Sequence, residues 1–302
     1  MKNFLKKAAL GLIALVAMPA TAEQIAVVTH GQQGDTFWDV VYRGVQDAAA
    51  ATGADVSYAS PATYDMAEMA ALIDAAVDRQ VKGLIVSLPD ADALGPSVER
   101  AVEAGIPVIS INSGSDEAFL LGVKLHVGQN EFFAGRAAGQ KMTELGGTRA
   151  ICINQEVGNI ALDLRCAGFA QGFAGQVDML SSTIDAQQTI AVVRSALAQN
   201  DAIDTIMALG ADAVAVPAIA AVEAEGRTGE ITVGTFDLSP NVLRAILDGN
   251  IAFAIDQKQY EQGFVPVGLL HDYLTSGRLP SNDIRTGPNL VDASTAADFL
   301  AN

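Results

Sequence analysis

Short apolar runs alternate with longer amphipathic stretches along almost the whole chain, and this alternation constrains the fold more than any other feature. The first example is the run at 24–29, which leads through a polar turn into a helical pattern at 36–51. A strand followed by a helix, repeated many times, is typical of a parallel sheet covered by helices. We therefore predict an α/β fold with doubly wound parallel sheets.

The repeats form two series that together hold too many strands for one sheet and one core. The chain has 302 residues, half of them apolar, which is enough material for two cores. We predict two similar lobes with a cleft between them. The strands of the first series are expected at 24–29, 55–59, 83–88 and 107–111, with helices at 36–51, 65–80 and 92–103. Those of the second series are expected at 123–127, 150–153, 177–182, 205–208, 231–235 and 252–255, with helices at 130–144, 161–175, 187–199, 212–225 and 240–247.

No long linker rich in proline, glycine or serine separates the two series. The lobes should therefore be joined by several short segments that act as a hinge. We expect this hinge near 113–122, 256–259 and 287–291. The predicted first lobe comprises residues 23–112 and 258–288, and the predicted second lobe comprises residues 123–257 and 289–302.

The first 22 residues have the pattern of an export signal. Three lysines, Lys2, Lys6 and Lys7, precede an apolar run at 8–18, and small residues at 20–22 suit cleavage. The apolar run is too short for a membrane span. We therefore predict a cleaved signal peptide and a mature protein in a bacterial periplasm.

The mature chain would be strongly acidic. Removing residues 1–22 takes away three lysines and no acidic residue, which leaves 15 basic and 35 acidic residues and a net charge of −20. Such a surface repels phosphate backbones and anionic lipids. We therefore expect no nucleic-acid partner.

The chain contains two cysteines, Cys152 and Cys166. In an oxidising compartment an even pair close in sequence favours a disulfide, and two buried thiols are the alternative. The three histidines, His30, His126 and His271, are isolated and show no ligand spacing with either cysteine. We predict neither a metal site nor a cofactor.

Polar side chains follow the predicted strands at the points where the strands end. In parallel sheets these ends face the crevice in which small molecules bind. Carboxylates and amides there can pair with hydroxyl groups, and aromatic rings can stack on the C–H face of a sugar. The pattern therefore suits a polyhydroxylated neutral molecule. The candidate ligand-binding residues are His30, Asp35, Phe37, Trp38, Ser87, Asn112, Arg165, Asp212, Asp237 and Gln257.

Two aromatic residues and a histidine follow the first strand. Phe37 belongs to the helical row at 37, 41, 45 and 48, so it is as consistent with a core position as with a site. Trp38 lies off that row and is the better site candidate. His30 could reach a ligand, but a solvated turn histidine is the alternative.

The polar candidates also have structural alternatives. Asp237 could cap the following helix, and Arg165 could form an ordinary exposed ion pair. Asn112 and Gln257 could satisfy backbone groups at strand ends. Asp35 is a turn aspartate, a common residue in turns.

Several segments, taken in order and spacing, carry a family resemblance over essentially the whole mature chain. They are 35–38 (DTFW), 83–86 (GLIV), 90–94 (DADAL), 105–109 (GIPVI), 165–169 (RCAGF), 233–237 (VGTFD) and 254–257 (AIDQ). The chain resembles bacterial periplasmic monosaccharide-binding proteins of the ribose- and galactose-binding type, which have the type I periplasmic binding protein fold. These proteins are the solute receptors of ABC sugar importers.

The resemblance implies roles for individual residues. Asp35, Phe37 and Trp38 match the polar residue and aromatic pair of the family's first loop, and Asn112 stands where the family often has an aspartate. Arg165 matches the sugar-binding arginine, Asp237 the carboxylate and Gln257 the amide near the hinge.

Three positions depart from the ribose-binding pattern. Gly210 stands in place of an asparagine, which leaves Asp212 as a substitute, and Ile184 stands in place of a third aromatic residue. Ser113 replaces a basic residue. These departures imply that the ligand is not held as ribose is held.

By this resemblance we expect a monomeric receptor that binds a monosaccharide or polyol by hinge closure and delivers it to a membrane ABC permease complex. A secreted carbohydrate-active enzyme and a sugar-sensing partner for chemotaxis are the alternatives. The sequence shows no Gly-x-Ser-x-Gly elbow and no tuned carboxylate pair for hydrolysis. A sugar-responsive repressor of this fold would carry a DNA-binding helix-turn-helix where this chain has the export pattern. We therefore expect no enzymatic activity.

Overall fold

The computed structural model describes residues 24–32 and 34–300. The predicted export signal lies outside these residues. The described residues form two α/β lobes, each centred on a six-stranded sheet. The prediction of two parallel-sheet lobes is confirmed.

The two sheets have the same arrangement of their first five strands. The first contains β1 (Gln24–Val28), β2 (Asp55–Ala59), β3 (Gly83–Ser87), β4 (Val108–Ile111), β5 (Leu125–Gly128) and β11 (Ile284–Arg285). The second contains β6 (Arg149–Asn154), β7 (Gln176–Ser181), β8 (Thr205–Ala208), β9 (Thr232–Phe236), β10 (Phe253–Asp256) and β12 (Asn289–Asp292). The strand orders are β2-β1-β3-β4-β5-β11 and β7-β6-β8-β9-β10-β12. All neighbours are parallel except β10 and β12.

Helices cover both faces of each sheet. They are α1 (Thr36–Thr52), α2 (Met66–Asp78), α3 (Ala91–Glu103), α4 (Ser115–Ala118), α5 (Glu131–Glu144), α6 (Ile160–Gly172), α7 (Ala186–Gln199), α8 (Val216–Ala224), α9 (Pro240–Leu247), α10 (Gln259–Ser276) and α11 (Ala296–Leu300). Short 3-10 and π-helical turns lie at Phe119–Leu121 and Ala211–Ala215. Within 24–32 and 34–300, none of the helices combines the length and apolar character needed to cross a bilayer.

The inner strands are apolar because both of their faces are buried, whereas the edge strands β2 and β7 are partly exposed and more polar. In β1, Ile25 and Val27 point to the core shared with α1 and α10, whereas Ala26 and Val28 point to the core shared with α2 and α3. In the second lobe, α5 and α6 pack on one face, and α7, α8 and α9 pack on the other.

The sequence pattern predicted that the strand at 125–128 begins the second lobe. In the structure this strand belongs to the first lobe. Leu125 pairs with Ile109 of β4, and Gly128 pairs with Arg285 of β11. The segment 113–122 therefore lies inside the first lobe, where it forms α4 and the following 3-10 turn. The sequence pattern gives the type of an element but not the sheet that it joins.

The chain passes between the two sheets three times. These passages lie between β5 and α5, between β10 and α10, and between β11 and β12. Consequently neither lobe is a continuous stretch of sequence. The carboxyl ends of the parallel strands of both sheets border the space between the lobes, as the residues that line this space show.

A disulfide ties β6 to α6. Cys152 and Cys166 are bonded, with their Cα atoms 5.9 Å apart and a sequence separation of 14. Both side chains are buried in the core between the second sheet and α6. The bridge therefore fixes the helix that also carries Arg165.

Replacing both cysteines with alanine is expected to lower the free energy of unfolding by about 3 kcal/mol, because a bridge that closes a loop of this size restricts the unfolded chain by that amount. Urea unfolding of C152A/C166A against the wild type measures the difference. The wild type unfolded under reducing conditions is the control, since it loses the bridge but keeps both side chains. A loss below about 1 kcal/mol in both samples would contradict this expectation.

Candidate functional site

One cavity lies between the lobes and encloses about 550 Å³ of unoccupied space, part of it open to solvent. The segments that line it follow β1 and β4 in the first sheet and β6, β7, β8, β9 and β10 in the second. Ligands bind at this end of open parallel sheets. Nine of the ten predicted ligand-binding residues line the cavity: His30, Asp35, Phe37, Trp38, Asn112, Arg165, Asp212, Asp237 and Gln257.

Ser87 does not line the cavity. It is fully buried at the end of β3, where its hydroxyl accepts a hydrogen bond from the His30 backbone N–H at 3.0 Å and lies 2.8 Å from His30 Nδ1. Ser87 therefore orients the His30 ring and does not face the cavity. His30 itself is 2% exposed, so it is not the solvated turn histidine that the sequence left as an alternative.

Trp38, the aromatic residue of α1 that the helical row placed outside the core, lies in the core. Trp38 is 5% exposed and belongs to the core with Val41 and Val45, whereas Phe37 is half-buried. A side chain at Gly31 would meet Trp38 Cγ at 2.6 Å, so the indole packs directly on this glycine. Both aromatic residues still border the cavity. A helical spacing of three or four residues does not distinguish the row that starts at 37 from the row that starts at 38.

Asp35 is the N-cap of α1. Its Oδ1 accepts a hydrogen bond from the Phe37 N–H at 3.0 Å. Burial, followed by the charge of Glu156, raises the pKa of Asp35 to about 7. Thr36 donates to Asp212 Oδ2 of the second lobe at 3.4 Å.

Arg165 forms a buried ion pair with Glu131. Its Nε donates to Oε2 at 2.5 Å and its Nη2 to Oε1 at 3.1 Å, and the two side chains are each 3% exposed. The guanidinium also lies 4.6 Å from the centre of the Phe236 ring. Burial disfavours the charged guanidinium, but Glu131 outweighs it and the pKa of Arg165 is raised. The exposed ion pair that the sequence left as an alternative is therefore wrong.

Close contact between α5 and α6 makes this ion pair possible. A Cβ at Gly135 of α5 would meet the Arg165 carbonyl oxygen at 2.0 Å, and one at Gly168 of α6 would meet the Phe132 carbonyl oxygen at 2.0 Å. Glycine at these positions lets the two backbones approach. Glu131 gave no signal in the sequence, because an acidic residue in the first turn of a helix is ordinary.

A chain of hydrogen bonds joins the first lobe to the second. Asn112 Nδ2 donates to Gln257 Oε1 at 3.3 Å, and Gln257 Nε2 donates to Asp237 Oδ1 at 2.6 Å. Asn112 and Asp237 both have left-handed backbone conformations, with φ of 63° and 71°, which these residue types tolerate better than most. Ser239, not Asp237, caps α9. Burial raises the pKa of Asp237 to about 7, although Arg165 and Gln257 act in the opposite direction.

Glu156 is a lining residue that the sequence analysis missed. It is 5% exposed, and its Oε2 accepts a hydrogen bond from Asn159 Nδ2 at 2.7 Å and lies 3.6 Å from His30 Nε2 of the other lobe. Burial disfavours the charged carboxylate, but the contacts with His30 and Asn159 outweigh it and lower the pKa of Glu156. Its position two residues past β6 is the signal that could have revealed it.

The wall formed after β7 and β8 is apolar apart from one carboxylate. Gly210 and Ile184 line the cavity without offering a polar side chain. Asp212 lies on the π-helical turn, and its Oδ1 accepts hydrogen bonds from Ser239 Oγ at 2.7 Å and Asn241 Nδ2 at 3.2 Å. Thr36 donates a hydrogen bond to the other oxygen, so both carboxylate oxygens of Asp212 accept hydrogen bonds from protein groups.

The cavity offers hydrogen-bonding groups from both lobes beside aromatic rings. Three carboxylates, of Asp35, Glu156 and Asp237, each keep one oxygen that accepts no hydrogen bond from a described residue. Arg165 Nη1 likewise donates to no described residue. Among residues 24–32 and 34–300, no cluster of three or more His, Cys, Asp or Glu could hold a metal ion. The arrangement suits binding of hydroxyl groups.

Comparison with known proteins agrees with this geometry. Residues 25–278 match the family model described as "Periplasmic binding protein domain". The chain is 27% identical to the "Xylose/arabinose-binding protein XylF" of Sulfolobus acidocaldarius, over 92% of this chain and 73% of the relative. It is 26% identical to the "Ribose import binding protein RbsB" of Escherichia coli, over 82% and 84%. A solved carbohydrate transporter from Acidothermus cellulolyticus 11B, in complex with myo-inositol, superposes with a TM-score of 0.89 at 36% identity, over 93% of this chain and 98% of that chain.

Proposed function

The chain belongs to the periplasmic binding protein family, and from that premise we propose that it is the exported receptor of an ABC importer for a monosaccharide or related polyol. One observation carries the proposal: a cavity between the lobes, lined by carboxylates from both lobes, by an arginine of the second lobe and by aromatic rings of the first. A polyhydroxylated ring needs a partner for each hydroxyl, since each unpaired one costs about 1–3 kcal/mol.

Particular residues support the assignment of the ligand-binding site. The unoccupied oxygens of Asp35, Glu156 and Asp237 would accept from hydroxyl groups, and Arg165 Nη1 would donate. Phe37 offers the half-buried ring that would lie against C–H groups of the ligand. Trp38 would support this wall from the core.

Ligand binding would proceed by closure of the two lobes. We assign residues 24–128 and 259–285 to the first lobe, residues 131–256 and 289–300 to the second, and the hinge to the three passages between them. Contacts already cross the cleft: the backbone N–H of Ile160 donates to the Pro89 carbonyl at 2.9 Å, and His30 meets Glu156. A ligand that touches both lobes would shift the population toward this closed arrangement.

One named relative and one solved structure indicate the class of ligand. One relative is named for xylose and arabinose, and the solved transporter contains myo-inositol. A five- or six-carbon polyhydroxylated ring, including a cyclitol, is therefore the class that we propose. Gly210 and Ile184, which offer no polar side chain on the wall after β7 and β8, favour a ring with fewer polar contacts on that side.

The remaining expectations complete the proposal. A receptor with no enzymatic activity fits the family, and the importer names of relatives support a membrane permease as the partner. The proposal that the protein is exported to the periplasm rests on the signal-peptide pattern of residues 1–22 and on membership of the family. The net charge of −17 for the whole chain makes nucleic acid a poor partner. We expect the protein to act as a monomer.

A thermal-shift panel of pentoses, hexoses, cyclitols and linear polyols tests the proposal. A ligand at 100 times its Kd is expected to stabilise the protein by about 2.7 kcal/mol, which raises Tm by several degrees. Calorimetry then gives Kd, and NMR of the recovered ligand is expected to show it chemically unchanged. No shift across the whole panel, or the formation of a product, would contradict the receptor function.

A further inference from the structure

The cavity carries far more negative than positive charge. Four carboxylates line it, and Arg165 is the one permanently cationic side chain among the described lining residues. That guanidinium is already paired with Glu131 behind the wall. His30 lies 3.6 Å from Glu156, but no described cation is within ion-pair distance of Asp35 or Asp237.

Three of the four carboxylates face the cavity with one oxygen unengaged. The protein engages Oδ1 of Asp35, Oε2 of Glu156 and Oδ1 of Asp237, and no described residue donates to the second oxygen of each. Glu156 and Asp237 are 5% and 6% exposed, so water screens them poorly. Asp212 differs, because protein donors occupy both of its oxygens.

Buried carboxylates without a cation are unfavourable. Removing one from water is unfavourable unless a positive charge or several hydrogen bonds compensate. The pKa of Asp35 and the pKa of Asp237, both raised to about 7 chiefly by burial, reflect this cost. A cation between these side chains would relieve it, whereas another anion would increase it.

We propose that the cavity selects a polyhydroxylated ring that carries one protonated amino group, an amino sugar or an aminocyclitol, over the neutral parent ring. The inference rests on the proposed function and names the ligand class for that same site. The ammonium group donates to the free oxygens of Asp35, Glu156 and Asp237, and the ring hydroxyls use the remaining partners. Rings that carry a carboxylate or phosphate are excluded by the same charges.

Matched pairs of ligands test the proposal by calorimetry on the mature protein at pH 7. The pairs are glucose with glucosamine, galactose with galactosamine, and myo-inositol with an aminodeoxyinositol; glucuronate and glucose 6-phosphate are the anionic probes. The amine of at least one pair is expected to bind at least tenfold more tightly than its parent, and the anions are expected not to bind. Titrations in two buffers of different ionisation enthalpy should show proton release with the amine, because its charge lowers the pKa of Asp35 and Asp237.

Carboxamide variants identify the side chains responsible. Glu156→Gln is expected to reduce the amine-to-parent affinity ratio at least threefold. Glu230→Gln, which alters an exposed ion pair with Arg227, should leave the ratio unchanged. If Glu156→Gln fails to fold by circular dichroism, Asp35→Asn provides the same readout.

The outcomes separate this inference from the proposed function. Neutral rings that bind as tightly as their amines, with no proton release, would overturn the inference and leave the receptor function standing. An amine preference that no carboxamide variant changes would overturn the role of the three carboxylates. Absence of binding by every ring, neutral or charged, would overturn the receptor function and the inference with it.

Discussion

Arg165→Ala is expected to abolish ligand binding and to lower the free energy of unfolding by about 3–5 kcal/mol, because it leaves the buried carboxylate of Glu131 without its cation. Both side chains of this pair are 3% exposed, and two hydrogen bonds join them. The variant also removes Nη1, a donor that the cavity offers to a ligand. Urea unfolding and calorimetry measure the two effects separately.

A double variant distinguishes loss of the donor from loss of the fold. Glu131→Gln with Arg165→Met removes both charges, so most of the stability should return while binding stays undetectable. Arg100→Ala is the matched control, since Arg100 is 46% exposed and solvent screens its pairs with Asp74 and Asp78, so its loss should change stability little. Recovery of binding in the double variant would show that Arg165 supports the site only through stability.

Trp38→Ala is expected to lower the free energy of unfolding by about 3–5 kcal/mol and to weaken ligand binding as well. The indole is buried against Gly31 and the first-lobe core, and its ring centre lies 4.7 Å from that of His30 and 5.0 Å from that of Phe37. Its removal leaves a void beneath the cavity wall. This differs from the expectation for a residue that lies off the core row, whose removal would spare the fold.

Phe37→Ala is the matched comparison. Phe37 is half-buried, so its removal should cost clearly less stability than the loss of Trp38 while still weakening binding. Because Trp38 is the single tryptophan of the chain, its fluorescence follows both unfolding and ligand binding in the other variants. An unchanged urea midpoint in Trp38→Ala would place the indole outside the core and contradict the structure.

Local pattern predicted most of the secondary structure and much of the cavity lining. Each predicted strand is present within a residue or two, and most of these strands are recognisable because they are buried and therefore consist of continuous apolar runs. The residues at strand ends converge because the strands are parallel. Their convergence could therefore be predicted without knowing how the lobes are arranged. The sequence failed where partners are distant. It did not reveal which sheet takes the strand at 125–128, since pairing with β4 and β11 leaves no local trace.

The missed site residues have the same explanation. Glu131 is recognisable only by its contact with Arg165 on the neighbouring helix, and Glu156 only by its contact with His30 of the other lobe. Phe37 and Trp38 are adjacent, and a rotation of the helix by one residue exchanges core and cavity faces. Packing against Gly31 decides between them. These are tertiary contacts, which periodicity does not encode.

The three passages of the chain between the sheets also determine how the molecule can assemble. The first lobe needs Val267 and Leu270 of α10 against Ile25 of β1, and β11 against β5. The second lobe, by contrast, lacks only β12 and α11 once residue 256 has been made. Contacts this remote in sequence form late, because the intervening chain must first be closed into a loop. Neither lobe therefore completes its core until the last segments of the chain have been made, because the second lobe still needs Val291 and Ala296 after β11 has joined the first.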